Sequence, residues 1–387
     1  MPRTFHPNDR CRTSVALDEL FNPITNALVG VKPLEARGNR PLQMDFEQQL
    51  KALVYFHLEE HTSGRALVQA LKEDDFARDH IAPPEGISRS SFCEAVNSRG
   101  LEQLMHVYRQ LQLQATDLLP AEHADLGELT AVDGSLIQAV LSMYWADYRD
   151  GSKKAKVHVG FDINRGIPSK IFLTDGKEGE RPFVSMILSP GQTGVIDRGY
   201  QCHKSFDQWQ SEDIHFVCRI KANTKKTCIR MNPVPAEGIV FYDAVVLLGA
   251  AGVNQTQKEV RVVGYRVDHV EYWVATDRFD LSAEQVALAY KLRWRVEKFF
   301  AWWKRHLKVY HLIARSEYGL MVQILSGLIT YLLLAIYCHN HYGEKVSIER
   351  VRELRIRIDN ELRGSSHEGL SASNFKEQES DASYAKT

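Results

Sequence analysis

The periodicity of apolar residues changes near Leu129, and this change separates two parts of the chain that must fold differently. Between Asp45 and Gln114, apolar residues recur every three or four positions, which predicts helices. From Leu129 onward, segments such as KVHVGFDI alternate apolar and polar residues, which predicts strands. Helical segments such as KSFDQWQSE follow these strands. The centre of the chain is therefore predicted to be of the α/β or α+β class.

The helical first part is interrupted at Pro83-Pro84, where proline removes helical hydrogen bonds. Residues 1–40 carry scattered Pro, Gly and Asn, which predicts little regular structure. Ser91 with Glu94 fits a capping box, and Ser88 is the alternative cap. Short helices with a polar face predict a helix-turn-helix-like unit, for which DNA reading and plain helical packing are equal alternatives.

The amino-acid composition excludes several classes of protein but does not indicate a binding partner. The 387 residues carry 48 Lys+Arg against 49 Asp+Glu, so the net charge of −1 gives no sign of nucleic acid or membrane. An apolar fraction of 44% excludes a mostly disordered chain. Six cysteines without a CxxC pair exclude a disulfide scaffold and a zinc ribbon. The first residues lack the apolar run of a secretory signal, so a cytoplasmic location is expected.

One segment is apolar enough to be taken for a membrane span. Gly319 to Cys338 carries no charge over 20 residues, near the length a helix needs to cross a bilayer. Gln323, Ser326 and Thr330 interrupt its apolar character. We therefore predict a helix buried inside a large domain, and no membrane contact.

A single basic helix is predicted from Ser282 or Asp280 to about Leu307. At 100° per residue, four of its residues share one stripe beside an apolar face. These residues are Tyr290, Arg293, Glu297 and Lys304. Seven Lys or Arg and one Glu lie between Lys291 and Lys308, together with three tryptophans, a composition that suits a polyanion. Glu297 is either neutralised by Arg293 four residues earlier or a catalytic carboxylate among phosphate-binding cations.

Two aspartates complete a candidate catalytic set. Asp133 and Asp197 are each predicted to end a short apolar strand, and strand ends converge on one edge of a sheet. With Glu297 they offer the carboxylate oxygens that Mg²⁺ prefers, and two such ions about 4 Å apart catalyse phosphoryl transfer. Other aspartates compete for this role, and the spacing alone does not exclude Asp162. These are Asp147, Asp150, Asp162 and Asp175.

Three motifs in this order resemble the DDE transposases of bacterial insertion sequences, in the family named for insertion sequence four. The family signature is Tyr, two residues, Arg, three residues, Glu, six residues, Lys. The stripe matches it without a gap as Tyr290, Arg293, Glu297 and Lys304. The family's first acid precedes a small residue, as does Asp133 in AVDGS, and its second lies in D-x-G-[YF], as does Asp197 in DRGY. The resemblance covers roughly residues 129–340.

The resemblance implies a fold and a domain order. It implies a ribonuclease-H-like α/β core with a β-rich insertion at about 222–270. It also implies a helical domain at 1–120 that binds DNA and a catalytic domain at 121–340. Residues 341–387 are predicted to form a C-terminal helix and a disordered tail, because the stretch from Gly364 is rich in Ser, Glu and Lys and has few apolar residues.

The resemblance further implies cut-and-paste chemistry with two Mg²⁺ ions, for which Mn²⁺ can substitute. Asp133 is expected to bridge both ions, while Asp197 and Glu297 each hold one. The expected partners are double-stranded DNA with terminal inverted repeats, target DNA, and a second copy of the chain in a synaptic dimer. The expected location is the bacterial cytoplasm, in association with the nucleoid.

The remaining expectations concern DNA contacts. Arg293 and Lys304 are expected to contact phosphates as fixed cations, and Tyr290 to hydrogen-bond a phosphate oxygen. In close relatives a DNA hairpin forms and an aromatic residue holds a flipped base. Trp294 matches one aromatic of that arrangement, and the second is Tyr272 or Trp273. Further predicted contacts are Arg198, Lys298 and two basic stretches, with solvated surface as the alternative for the stretches. The stretches contain Lys153, Lys154, Lys156, Arg219, Lys221, Lys225, Lys226 and Arg230.

The sequence is also compatible with two other functions. One is a metal-dependent nuclease on the same core without strand transfer. The other is an inactive or domesticated DNA-binding relative, against which the three intact acids argue.

Overall fold

A computed structural model describes residues 14–36, 41–139, 142–149, 152–306 and 311–361, and every structural statement below concerns these residues. They divide into two compact units. The described residues up to Gln114 and from Leu325 form the first unit, and Ala115–Ile324 form the second. The described residues from Leu325 group with the N-terminal helices. The functional domains expected at 1–120 and 121–340 stay a prediction. The predicted disordered tail lies outside the described residues.

The helices and strands are numbered in chain order. The helices are α1 (Val15–Ala27), α2 (Phe46–Leu58), α3 (Gly64–Glu73), α4 (Arg89–Ser98), α5 (Leu101–Leu118), α6 (Phe183–Ile187), α7 (His203–Ser211), α8 (Ala283–Leu292), α9 (Trp294–His306), α10 (Glu317–Tyr342) and α11 (348–361). The strands are β1 (Leu129–Gln138), β2 (Asp147–Arg149), β3 (Ser152–Asp162), β4 (Ile167–Asp175), β5 (Thr193–Ile196), β6 (His215–Arg219), β7 (Lys226–Met231), β8 (Val240–Leu248), β9 (Val260–Val267) and β10 (Val270–Thr276).

Helix α1 shows that the prediction of an irregular segment at residues 1–40 was wrong for its described part. Ser14 caps the helix, because its Oγ accepts a hydrogen bond from the Leu17 amide at 3.3 Å. One face of α1 is buried, and this burial outweighs the cost of Pro23 inside the helix. The buried residues are Ala16, Leu17, Leu20, Phe21, Ile24 and Ala27.

The helical prediction from Asp45 to Gln114 is confirmed by α2 to α5. Ser88, the alternative cap, is the residue that begins α4, since its Oγ accepts from the Ser91 amide at 3.1 Å. The capping box of Ser91 with Glu94 was therefore wrong. Gly100, with a φ of 87°, separates α4 from α5 in a backbone conformation that favours glycine.

Helix α10 contains the uncharged segment. Among the described helices it is the one long and apolar enough to cross a membrane, and 89% of its most apolar stretch is buried in the structure. Its polar side chains have partners inside the protein. Ser326 Oγ lies 2.9 Å from His57 Nε2, and Thr330 Oγ1 donates to the Ser326 carbonyl at 2.8 Å. This burial and bonding favour the interpretation of a core helix.

The second unit is built on a ten-stranded mixed sheet. Its strand order is β2-β3-β1-β5-β6-β10-β9-β8-β7, and β4 pairs with β3 beside this path. Strand β1 runs parallel to β5, and β5 runs parallel to β6, while the outer strands pair antiparallel. The α/β prediction is confirmed, and this arrangement fits a ribonuclease-H-like core. The strands of the predicted insertion extend the same sheet.

A buried ion pair joins the extended part of the sheet to the start of α8. Arg261 Nη2 lies 2.7 Å from Asp243 Oδ2, and both side chains are less than a tenth exposed. The same guanidinium donates to the carbonyl of Leu281, next to the helix cap. Burial of a charge requires such full pairing, so Arg261 fixes β8, β9 and the approach to α8 together.

Asn164 fixes the start of β1 from the turn after β3. Its Oδ1 accepts from the Leu129 amide at 2.8 Å, and its Nδ2 donates to the Glu122 carbonyl at 2.9 Å and the Gly127 carbonyl at 3.1 Å. Asn164 is 3% exposed, so these bonds are shielded from water. The position of β1 thus depends on a side chain far along the sequence.

The basic helix has the predicted cap but not the predicted continuity. Ser282 Oγ accepts from the Gln285 amide at 3.1 Å, which settles the choice of cap. The helix is interrupted at Arg293, whose amide bonds the carbonyl of Tyr290, three residues earlier, at 3.1 Å. This tighter turn divides the predicted helix into α8 and α9, so a single helical wheel does not describe it.

We predict that His158 makes the stability of the protein fall in acid. Burial, with a smaller contribution from Lys156, lowers its pKa from 6.5 to about 4. The ring stacks on Phe183 at 3.7 Å, and its Nε2 lies 3.0 Å from Thr174 Oγ1. The unfolded chain binds a proton below about pH 6.5, whereas the folded chain resists it until about pH 4. The free energy of unfolding should therefore drop by up to about 3 kcal/mol over this range.

The measurement is urea unfolding at pH 7 and at pH 4.5 for the wild type and for His158→Phe, which keeps the ring stack. The variant should lose less stability on acidification than the wild type. Equal losses in the two proteins would show that His158 does not carry the effect.

Candidate active site

Two of the three candidate acids lie side by side on neighbouring strands. Strands β1 and β5 pair in parallel, with Ala131 opposite Val195. Asp133 is two residues beyond Ala131, and Asp197 is two residues beyond Val195. The register therefore places the two aspartates next to one another. Asp197 directly follows β5, as predicted. Asp133 lies within β1 rather than at its end, because the strand continues to Gln138 in its pairing with β3.

Glu297 lies in the first turn of α9 and is linked to Asp133 through a shared guanidinium. The guanidinium of Arg293 connects it to β1. Arg293 Nη2 lies 2.5 Å from Glu297 Oε1, and Nη1 lies 3.8 Å from Asp133 Oδ2. Arg293 is 8% exposed, so this bridge is largely shielded from water. The ion pair of Arg293 with Glu297, one of the two sequence interpretations, is present in the structure.

Tyr290 contacts Asp197, the third candidate acid. Its hydroxyl donates a hydrogen bond to Asp197 Oδ1 at 3.1 Å. Burial raises the pKa of Tyr290 above its ordinary value, and Asp197 raises it further against the influence of Arg293. The hydroxyl therefore stays protonated and remains a donor. Tyr290 and Arg293 together contact all three candidate acids.

Asp133 has the electrostatic environment of a site that attracts positive charge. Burial raises the pKa of its carboxyl to about 6, although the Gly134 amide and Arg293 oppose the shift. The carboxylates of Glu180 and Glu297 add to the rise. The Gly134 amide donates to Asp133 Oδ1 at 2.8 Å. A further cation near Asp133 would relieve both its desolvation and the repulsion from its neighbours.

Lys304 approaches the same strand from the last turn of α9. Its Nζ donates to the Leu136 carbonyl on β1 at 3.1 Å. Burial lowers the pKa of Lys304, and the charge of Asp133 opposes this shift. The four residues of the sequence signature are thus brought to one place despite the break in the helix.

A fourth carboxylate, which the sequence analysis missed, lies over β1. A Cβ placed on Gly134 would stand 2.7 Å from Glu180 Oε1, so the bare backbone admits this side chain. Lys156 Nζ lies 3.5 Å from the same oxygen. Glu180 stands in the segment before α6, where KEGER shows no recognisable motif. The sequence signal that could have indicated a neighbour here was Gly134 itself, since a glycine inside a strand often marks a site where another group approaches the backbone closely.

The competing aspartates have structural roles where they are described. Asp162 Oδ1 accepts from the Arg165 amide at 3.0 Å, and its Oδ2 lies 3.2 Å from Arg165 Nη1. Asp175 Oδ1 accepts from the amides of Lys177 and Glu178 at 2.8 and 3.0 Å. Both stabilise turns, and neither joins the three acids through a described contact. Asp150 lies outside the described residues.

The structure distinguishes the two aromatic candidates on β10. The ring of Tyr272 lies 6.4 Å from that of Tyr290 and 5.2 Å from that of Tyr265. Trp273 packs against Tyr242 at 5.1 Å, with Lys226 Nζ 4.3 Å from its ring. Adjacent side chains of a strand face opposite sides of the sheet. Tyr272 is therefore the aromatic residue beside the signature, and the DNA contact of Trp273 stays a prediction.

Three other predicted DNA contacts are available at the surface. Trp294 is 58% exposed, which is unusual for so large an apolar ring. Lys298 on α9 and Arg198 after Asp197 are also exposed.

The three candidate carboxylates have the chemistry to bind a divalent cation, although they do not surround a single position for one. Within the described residues, no group of three or more His, Cys, Asp or Glu side chains is already spaced for an ion. Asp133, Asp197 and Glu297 offer the hard oxygen ligands that Mg²⁺ prefers. Arg293 supplies the positive charge between two of them. A divalent ion would therefore compete with this guanidinium for the carboxylates.

Comparison with known proteins assigns the second unit to a family. The family described as transposase DDE domain matches residues 125–333. The chain is 27% identical over 237 residues to a probable transposase for insertion sequence element IS5377 from Geobacillus stearothermophilus. It is 28% identical over 201 residues to the putative transposase y4zB of Sinorhizobium fredii, and 23% identical over 282 residues to a putative transposase for insertion sequence element IS4SA from Synechocystis.

These alignments cover 60%, 50% and 70% of this chain, and 62%, 56% and 78% of the respective relatives. The match of the family over more than half of the chain, together with the site just described, establishes its class. The chain belongs to the transposase DDE domain family. A domain of this family implies dependence on a divalent metal in general terms.

We predict that Arg293→Gln makes the protein less stable without metal and more responsive to Mg²⁺. The variant leaves Asp133 and Glu297 without their shared cation, which should cost about 1–3 kcal/mol. Added Mg²⁺ then binds without displacing a guanidinium, so it should raise the thermal midpoint more than in the wild type.

Thermal unfolding with EDTA or with Mg²⁺ measures both effects. The control is Arg266→Gln, because Arg266 forms an exposed ion pair with Glu271. An equal Mg²⁺ response in the wild type and Arg293→Gln would contradict the competition between Arg293 and the metal.

Proposed function

We propose that this protein is a DDE transposase of the family named for insertion sequence four, which excises its element and inserts it into target DNA. The observation that carries the proposal is the convergence of Asp133, Asp197 and Glu297 on the pair Tyr290 and Arg293. The family assignment gives this convergence its chemical meaning, namely metal-dependent DNA strand cleavage followed by strand transfer.

The three acids are the proposed ligands for two Mg²⁺ or Mn²⁺ ions, with Asp133 shared between them. When bound, such ions activate the attacking oxygen and stabilise the leaving oxygen. Arg293, once separated from the carboxylates, becomes available to hold a phosphate oxygen next to the scissile bond. Tyr290 positions Asp197 through its hydroxyl and offers the same donor to a phosphate. Lys304 contributes a partly buried cation close to Asp133.

A hairpin intermediate is part of the proposal. Trp294 directly follows Arg293 and is exposed, while Tyr272 lies beside Tyr290. Two aromatic residues next to the signature suit a flipped base, because every base offers a face for stacking. Arg198 and Lys298 are the proposed phosphate contacts around this position.

The wider assignments follow from the proposed reaction. The helical first unit binds the terminal inverted repeats, for which the exposed start of α4 at Arg89 and Ser90 offers a polar surface. Two copies hold the two element ends in a synaptic dimer, and target DNA binds afterwards. The proposed location is the bacterial cytoplasm, where this DNA is found.

We predict that Glu297→Gln abolishes cleavage of the element ends but leaves end binding intact. Glutamine keeps the shape of the side chain while removing the charge that a divalent ion requires. Cleavage and binding are measured on gels with duplexes that carry the inverted repeats flanking the coding sequence. Glu284→Gln, an exposed change on α8, is the control.

Loss of binding equal to the loss of cleavage would assign Glu297 a structural role instead. Cleavage by the wild type without joining to a target would favour the metal-dependent nuclease. Absence of both activities, with end binding retained, would favour the inactive DNA-binding relative.

We further predict that Trp294→Ala and Tyr272→Ala impair hairpin formation while the first nick persists. Each substitution removes a stacking contact worth about 1–3 kcal/mol per base. Denaturing gels separate nicked, hairpin and released products. Trp273→Phe preserves an aromatic ring in its packing site, so its products should match those of the wild type. A hairpin defect in Trp273→Phe as large as that in Tyr272→Ala would instead assign the base-holding role to Trp273.

A further inference from the structure

A large cleft in the second unit opens beside Asp197. Its volume is about 1140 Å³, and its lining includes Asp197 itself. One side is formed by the segment after β5 and the start of α7. The other side is formed by the turn between β6 and β7 and by the loop between β8 and β9. We call it the basic cleft, after the cationic residues that line it: Arg181, Arg198, Lys204, Lys221 and Lys225.

Arg181 donates from Nε and Nη2 to the Gly199 carbonyl at 3.3 and 3.2 Å, whereas three lysines of the basic cleft are not used by the fold. Lys204, Lys221 and Lys225 are exposed, and their side chains form no ion pair or hydrogen bond within the part of the chain that the structure describes. Besides Asp197, the described lining contains one acid, Asp207. The Asp207 carboxylate accepts from the backbone amides of Gln257 and Lys258 at 2.9–3.1 Å. The cleft therefore presents a surplus of positive charge next to the catalytic acids.

The walls of the basic cleft are held in place by half-buried and exposed polar contacts. Gln201 Oε1 accepts from the Lys221 amide at 2.9 Å, and its Nε2 donates to Thr224 Oγ1 at 3.0 Å. His203 Nδ1 donates to the Asn254 carbonyl at 2.7 Å. Gly249 has a φ of 111°, and a Cβ there would stand 2.4 Å from the Asn254 oxygen. Because the fold itself separates the walls, a ligand need not open the cleft.

The size and chemistry of the basic cleft indicate an extended polyanion. Its volume is larger than the roughly 300–1,000 Å³ of ordinary small-molecule sites. Its described lining contains no Phe, Tyr or Trp, so it lacks a stacking platform for bases. Ammonium groups on flexible stems at several points suit successive phosphates. A strand whose phosphate lies at Asp197 would border this cleft, because Asp197 is part of its lining.

We propose that the basic cleft binds the sugar-phosphate backbone of the donor DNA strand next to the scissile phosphate, whatever its base sequence. The inference rests on the proposed function, because it takes Asp197 as a residue of the cleavage site. It goes beyond that function by assigning the turns at 221–225 and 249–257 to the binding of the cleaved strand. The extended part of the sheet thereby becomes one wall of the substrate channel.

The first test is salt-dependent binding of a 40-base-pair duplex of arbitrary sequence to the full chain. Lys221→Gln with Lys225→Gln removes two cleft charges, and Lys170→Gln with Arg266→Gln removes two exposed charges elsewhere in the second unit. Each lost phosphate contact lowers the slope of log K against log salt by about 0.9. The cleft variant should lose about 1.8 and the control about 0. Equal slopes in the two variants overturn the proposal.

The second test identifies the strand. With duplexes carrying the inverted repeats, the cleft variant should need severalfold more donor for half-maximal cleavage, at an unchanged maximal rate and thermal midpoint. Replacing the flanking bases should leave this deficit unchanged. Normal cleavage with a defect only in joining pre-cut ends to target overturns the proposal, as does a deficit that depends on flank sequence.

The two tests separate this inference from the proposed function. A wild type that does not cleave any end refutes the proposed function, and the salt slopes still decide whether the basic cleft binds DNA backbone.

Discussion

The bridge from Asp133 through Arg293 to Glu297 is the interaction on which the site depends. Two carboxylates in a partly dry environment repel each other and disfavour their own ionisation. A guanidinium between them offsets both effects, because its planar donors serve two acceptors at once. The fold uses this pair of contacts to attach α9 to β1. The guanidinium of Arg293 stabilises the metal-free protein. Its charge thus marks the position where a divalent ion would bind.

The remainder of the second unit can be understood as the support for this bridge. Asn164 fixes β1 at its start, and the parallel pairing of β1 with β5 places Asp197 beside Asp133. The tight turn at Arg293 separates α8 from α9. Tyr290 therefore approaches Asp197 from α8, while Glu297 is held near Asp133 from α9. Precision at the site comes from strands and helices, whose positions are better defined than those of loops.

The sequence predicted which residues lie together at the site better than it predicted the secondary structure around them. Periodicity and local motifs predicted the α/β class, the end of β5 at Asp197 and two candidate caps, Ser282 and Asp280, because these features depend on residues close in the chain. The structure selects Ser282. The extension of β1 beyond Asp133 depends on pairing with β3, and the interruption at Arg293 depends on partners in tertiary structure. Glu180 was missed for the same reason, since only the fold brings it over Gly134. Helix α1 was missed because Pro23 and Asn22 hid an apolar face that burial favours.

The ion pair of Arg261 with Asp243 has a consequence for how such proteins diverge. Arg261 connects two strands of the extended sheet to the carbonyl that precedes the cap of α8. The extended strands therefore hold the start of α8 through a backbone carbonyl. Asp243 and Arg261 both lie within residues 222–270, so an exchange of this segment between relatives would carry the buried ion pair as a unit. The contact with the Leu281 carbonyl, which any residue at that position offers, would then form again in the recipient.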